Sequence, residues 1–169
     1  MATRRESDLT VTQSVLDRLI DEERSLATDP SITRAESVRR LHRAVRRDLE
    51  WLLNTRRTPI PAGKEMNELY HSLYNYGLPD FSTVSLGSFA DRTRLQRSIE
   101  EAIAIFEPRL IDAKVNLREA NTLSAATRMM RFQIDAYLKM DPAPEHVSFD
   151  TVLELTNGEY QVKGEGSAG

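Results

Sequence analysis

Glu107-Pro108-Arg109 is the point where residue types and spacing suggest chemistry of their own. A carboxylate and a guanidinium this close can form a bidentate ion pair if the backbone turns both the same way. Proline disfavours helix for the residue before it, so an upstream helix should end near Glu107 and continue in extended geometry. A carboxylate at a helix C-terminus faces the negative end of the dipole, an effect of about 0.3–1 kcal/mol, so Glu107 needs a cation. Arg109 is the nearest. The pair reads either as an internal clamp on a helix–strand corner or as a charged prong offered to a neighbouring polypeptide, and the tripeptide leaves both open.

Catalysis asks for more than this pair. Glycoside hydrolysis uses two carboxylates roughly 5–9.5 Å apart across a cleft, one with a raised pKa. A neighbouring cation lowers a carboxylate's pKa, the wrong direction for a general acid. Glu100, Glu101 and Asp135 fall on expected solvent faces. With no cysteine, cysteine nucleophiles and thiolate metal sites are excluded. His42, His71 and His146 form no ligand pattern, and no P-loop or Ser/His/Asp order is present. The expectation is a non-enzyme with no metal and no cofactor.

The elements that position the pair follow from periodicity. Leu95, Ile99, Ala102, Ile103 and Phe106 recur at helical spacing and predict a long helix capped by Ser88 or Asp91 and ending near Glu107. Leu110–Ala113 and then Val115 and Leu117, alternating with polar residues, predict a strand. Upstream, Val15, Leu16, Leu19 and Ile20 mark one face of a short helix over about 12–24, after a mobile arm at 1–10. Thr33 with Glu36 forms a capping box, opening a helix that runs to about Asn54. Its buried stripe is Val38, Leu41, Val45, Leu49, Leu52 and Leu53.

That helix carries Arg34, Arg39, Arg40, Arg43, Arg46 and Arg47, with Arg56 and Arg57 beyond it. The row is a solvated face, a patch for an acidic protein, or a nucleic-acid surface. A net charge of −3 and the lack of interleaved aromatics weigh against nucleic acid. Arg47 and Trp51 are one turn apart, so the guanidinium can stack on the indole, or Trp51 can simply pack at the core edge.

Prolines at 59 and 61 predict a linker-like turn, then a short helix over Met66, Leu69, Tyr70, Leu73 and Tyr74, closed by Gly77 and Pro79. Its tyrosines read as core rather than as a ligand-stacking set. Residues 120–127 read as a polar loop. Met130, Phe132, Ile134, Ala136, Leu138 and Met140 alternate with polar residues, as do Val147, Phe149, Thr151, Leu153 and Leu155 after a turn at 141–145. Asn157-Gly158 predicts a hairpin into Tyr160 and Val162. Helices first and strands last give an α+β fold, with N-terminal helices packed on a small antiparallel-rich C-terminal sheet ending in a β-hairpin. One domain over 1–163 and a disordered tail at 164–169 complete the expected organisation.

The last strand should present an edge at Glu159, Tyr160, Gln161 and Val162. Such an edge is either blunted, here by Glu154, Glu159 and Lys163, or used as a rail for another chain's strand. No stretch approaches the roughly 20 apolar residues of a membrane span, and no apolar leader follows Arg4 and Arg5, so a cytoplasmic protein is expected.

Four ordered stretches carry a family resemblance: RDLEWLLNTR at 47–56, YNYGLPDFS at 74–82, AIAIFEPRL at 102–110 and VSFDTVLELTNGEYQV at 147–162. Together they resemble the TssE family, baseplate subunits of type VI secretion systems. That family is related to a contractile-phage tail wedge protein that often bears a lysozyme-like name. The resemblance runs from about Ser14 to Val162. It implies a structural subunit of a cytoplasmic wedge with TssF and TssG, beneath a contractile sheath, with TssK and the TssB/TssC sheath as further neighbours. It implies partner binding by Glu107, Pro108, Arg109, Arg47, Trp51 and Arg56, and docking of sheath strands on the edge at Glu159–Val162. Two alternatives stand beside it: a lysozyme-like glycoside hydrolase and a basic-helix nucleic-acid binder.

Overall fold

A computed structural model of the chain describes residues 14–19, 33–81, 88–118, 129–154 and 159–164. The arm at 1–10, the polar loop at 120–127, the Asn157-Gly158 turn and residues 165–169 lie outside the described residues. The element order is α1 (Val15–Leu19), α2 (Arg34–Asn54), α3 (Asn67–Tyr70), a 3₁₀ turn (Leu73–Asn75), α4 (Phe89–Phe106), then β1 (Leu110–Arg118), β2 (Met129–Leu138), β3 (Glu145–Glu154) and β4 (Glu159–Gly164). This is the expected α+β arrangement. The four strands form an antiparallel meander in the order β1-β2-β3-β4.

Local chemistry sets the boundaries of the two main helices. Thr33 caps α2 by accepting the Glu36 amide on its hydroxyl, and Ser88 caps α4 by accepting the Asp91 amide. The apolar stripes of both helices cover one face of the sheet. Leu49, Leu95, Ile99, Ile103, Val115 and Ile134 are fully buried between them, each contributing about 1.5–3 kcal/mol of burial. The period-2 residues of β2 (Met130, Phe132, Ile134, Ala136, Leu138) point into this core. The other face is wet and laced by polar pairs: Gln133 donates to Asp135 and Ser148, and Asn116 donates to Asp135.

Three expectations need correction. Of the short helix expected over about 12–24, only residues 14–19 are among the described ones, 15–19 of them helical, and there Val15, Leu16 and Leu19 are exposed rather than packed. The segment after Met66 is four helical residues and a 3₁₀ turn, with Met66, Leu69, Leu73 and Tyr74 exposed, so this stripe is not core. What holds it is polar: buried Asn75 accepts the Ala62 amide and donates to the Ala62 and Tyr70 carbonyls. Only Tyr76 reaches the core, its ring edge-on to Phe106. Finally, β3 already begins at Glu145, inside the expected turn, and Met140 lies beyond the end of β2.

Both sheet edges are capped by side chains from the helices. On β4, Asn54 mimics a peptide unit: its Oδ1 accepts the Tyr160 N–H at 2.8 Å and its Nδ2 donates to the Tyr160 carbonyl at 2.9 Å. On β1, Glu100 accepts the Val115 N–H at 3.0 Å, just past a bulge where Asp112 has φ 54°. Glu100 was expected on a solvent face; the bulge turns the Val115 amide toward it.

Candidate functional site

The corner after α4 is a tight turn rather than an extended step. The Glu107 amide donates to the Ile103 carbonyl and closes the helix, and the Leu110 amide donates back to the Glu107 carbonyl at 3.0 Å. Pro108 thus occupies the second position of a β-turn, where its fixed φ is favoured. The turn brings residues 107 and 109 together more closely than an extended chain would. The Arg109 carbonyl then accepts the Lys139 amide, which anchors the corner beside the end of β2.

Arg109 grips Glu107 in a fork. Its Nε donates to Glu107 Oε1 and its Nη2 to Oε2, each at 2.5 Å. Glu107 is 3% exposed, so this carboxylate is an interior group held by one cation. Nη2 also donates to Asp48 Oδ2 on α2. Asp48 Oδ1 in turn accepts from Arg47 Nε and Nη2 at 2.9 and 2.8 Å. Arg47 Nη2 continues to Asp17 Oδ1 on α1 at 2.8 Å, and the Ser14 hydroxyl donates to Asp17 Oδ2 at 2.6 Å. Three acids and two cations therefore alternate across α1, α2 and the corner. One donor is left over: Arg109 Nη1 is buried without a hydrogen-bond partner, 3.9 Å from Asp17 Oδ2. An unmet buried donor costs about 1–3 kcal/mol.

The electrostatics follow this alternation. Burial works against charge on Arg109, but the Glu107 and Asp48 carboxylates outweigh it and hold the guanidinium protonated more firmly than usual. Arg47 is raised in the same way, burial being outweighed by Asp17 and Asp48. Burial pushes the Asp17 carboxyl up, yet Ser14 and Arg47 outweigh it and hold that group below its ordinary range. Burial, and then the Asp48 and Glu107 charges, raise the Tyr76 hydroxyl.

Of the two readings of the tripeptide, the free chain adopts the internal clamp. Arg47 joins the cluster, and its guanidinium also lies 4.9 Å from the centre of the Trp51 ring, which is 51% exposed. Arg56 does not join it. Its side chain is mostly exposed and pairs with Asp80 at 3.6 Å, while its backbone bridges to Leu78. At the sheet edge, Tyr160 and Val162 point into the core and Glu159 and Gln161 point outward, with Tyr160 taken by Asn54. Sequence reasoning missed Asp48, Asp17 and Asn54 as members of these sites. The signal for Asp48 was a carboxylate abutting the apolar stripe at Leu49; nothing local marked the other two.

Little about this arrangement serves hydrolysis. Both Glu107 oxygens are engaged by guanidinium donors, and the residue is buried. A cleft of about 740 Å³ lies on the opposite flank of α2, lined by Arg39, His42, Arg43, Arg46, Val147 and Phe149 among others. The basic row is also partly neutralised, since Arg39, Arg40 and Arg43 converge on Glu36. No helix among the described residues is long and apolar enough to cross a membrane.

The family model described as Baseplate wedge protein gp25 matches residues 39–143, from the second turn of α2 to the approach of β3. The match contains Asp48 and the Glu107–Arg109 corner and stops short of β3 and β4. No curated protein matches the chain.

Proposed function

The chain belongs to the family of the baseplate wedge protein gp25, and we propose that it docks into a type VI secretion wedge through the Arg109 corner. The family gives it a structural role in a baseplate. The finer reading is that TssF and TssG are the immediate neighbours, TssK and the TssB/TssC sheath lie next to them, and the assembly is cytoplasmic. One observation carries it: a guanidinium locked in place by Glu107 and Asp48 retains an unbonded donor, and Arg47 in the same chain of ion pairs lies over exposed Trp51. A lone subunit gains little from the ion pair as a whole, because an apolar pair of similar volume would fill the corner about as well. A neighbouring chain gains a fixed, directional donor with an aromatic in the same cluster, the residue types enriched where binding energy concentrates.

In this reading Arg109, Arg47 and Trp51 meet the neighbour, Glu107 and Pro108 set the direction of Arg109, and Arg56 contributes at the rim. The edge at Glu159–Val162 is the sheath-side rail, reached when an incoming strand replaces Asn54 on Tyr160. Co-purification with TssF and TssG tests the corner, with a thermal melt of each variant alongside. Trp51→Ala and Arg109→Lys are expected to keep the fold and lose capture. Normal capture by Arg109→Lys would refute the proposal.

A further inference from the structure

The cluster holds a group that belongs to no core. Among its described residues helix α1 exposes Val15, Leu16 and Leu19, so burial of these apolar side chains does not explain its position. The tether the structure shows is one carboxylate: Asp17 accepts from Arg47 at 2.8 Å and sits 3.9 Å from Arg109 Nη1. At that distance no hydrogen bond forms with Nη1, so the carboxylate is near the best position for the two guanidiniums without reaching it. Asp48 and Glu107 cannot move there, since each is already held by its own hydrogen bonds to Arg109 or Arg47.

We infer that the space between Arg47 and Arg109 is a carboxylate-binding site, and that Asp17 is a placeholder which a carboxylate of a neighbouring polypeptide displaces on assembly. The assignment of the neighbour rests on the proposed function; the site itself does not. The chemistry is specific. Two guanidiniums of fixed orientation present Nη atoms toward one point, which suits a planar two-oxygen acceptor better than a monatomic anion. An incoming Asp or Glu that reaches Nη1 gains the bond Asp17 lacks. Exposed Trp51, lying under Arg47, gives the same incoming segment an apolar contact at the rim.

Displacement implies competition, and competition has a sign. If Asp17 occupies the site for 90–99% of the time, removing it raises the apparent affinity for an outside carboxylate about 10- to 100-fold. A structural role for Asp17 predicts the opposite, since losing it would loosen the cluster and weaken binding.

The experiment uses the full chain and its Asp17→Ala variant, with sodium acetate as the probe and sodium chloride at equal ionic strength as the control. Nitrogen-detected resonances of the arginine Nε–H groups report on occupancy. In Asp17→Ala, acetate is expected to shift the Arg47 and Arg109 signals saturably, with a midpoint at least tenfold lower than in the parent chain. Chloride is expected to leave them unmoved. Equal midpoints in the two proteins, or equal shifts from chloride and acetate, would overturn the inference. Capture of TssF and TssG forms the second arm, with Asp17→Asn expected to strengthen it. Weaker capture by Asp17→Asn, measured well below its own melting temperature, would overturn the placeholder role. A positive acetate result with capture insensitive to Arg109→Lys would support the carboxylate site while refuting the proposed docking.

Discussion

Removing the Arg109 charge while keeping its bulk isolates what the ion pair does. Arg109→Met preserves most of the aliphatic stem and deletes every donor. Asp48 is not stranded by this change, because Arg47 already holds it through two hydrogen bonds. Glu107 is stranded: its side chain is 5% exposed, and its cation is Arg109. Breaking one side of a buried pair costs about 3–5 kcal/mol, and the lower end applies because the Arg109 side chain is itself 24% exposed. At about 2–4 °C per kcal/mol for a chain of this size, the melting temperature falls by about 6–12 °C. The double variant Arg109→Met with Glu107→Gln removes the stranded charge, and it is expected to recover about half of the loss, leaving about 1.5 kcal/mol. Urea unfolding followed by circular dichroism gives both numbers in one cycle. An Arg109→Met cost below about 1 kcal/mol, or additive single and double variants, would show that the corner behaves as a surface pair and refute the reasoning.

Other positions give independent tests. Gly77 has φ 100°, and a Cβ there would lie 2.2 Å from the Thr55 carbonyl oxygen, so Gly77→Ala should destabilise by more than about 1 kcal/mol in the same assay. Asn54→Ala uncovers the Tyr160 amide and carbonyl on the β4 edge; about 1–2 kcal/mol of stability should be lost, and concentration-dependent self-association should appear in light scattering. The Asp17 carboxyl is held below its ordinary value in the folded chain, so its contribution is full above the ordinary aspartate range near pH 4 and is lost as pH falls through the folded value. The stability gap between the parent and Asp17→Asn should therefore be wide at pH 6 and narrow progressively below about pH 4.

Local signals in the sequence were read correctly where one element decides the outcome. The period-2 alternation through Phe132, Ile134 and Ala136 placed β2 because a half-buried strand admits only one face to the core. Thr33 and Ser88 marked helix starts because their hydroxyls meet orphan amides within the same turn. Pro108 marked the helix end, although the chain turns there instead of extending. The errors came where distant residues decide. Leu69, Leu73 and Tyr74 read as a buried stripe, but Asn75 takes the interior position of that segment through hydrogen bonds to Ala62 and Tyr70. Asp48 lies 61 positions from Arg109, and Asn54 lies 106 from Tyr160, so neither pairing leaves a local pattern. The corner itself was legible, and its partners were not.

The caps share a property that bears on assembly. Asn54 on β4, Glu100 on β1 and Asp17 on Arg47 each satisfy backbone or guanidinium groups with a polar side chain from elsewhere in the chain. Each contact is worth about 1–3 kcal/mol at most, well below the burial free energy of the α2–α4–sheet core. A neighbour can therefore lift a cap without loosening the core that supports it. At Asn54 and Glu100 the exchange replaces one hydrogen bond with another of the same kind, and at Asp17 it adds a single bond to Arg109 Nη1, so it yields modest net free energy by itself. Affinity at these places must come mainly from apolar surface that the exchange exposes or adjoins, and the groups positioned for that are Trp51 under Arg47 and the outward-facing Val15, Leu16 and Leu19 of α1. A partner that brought only charge to Arg109 would gain direction and little else; one that also covered Trp51 would bind.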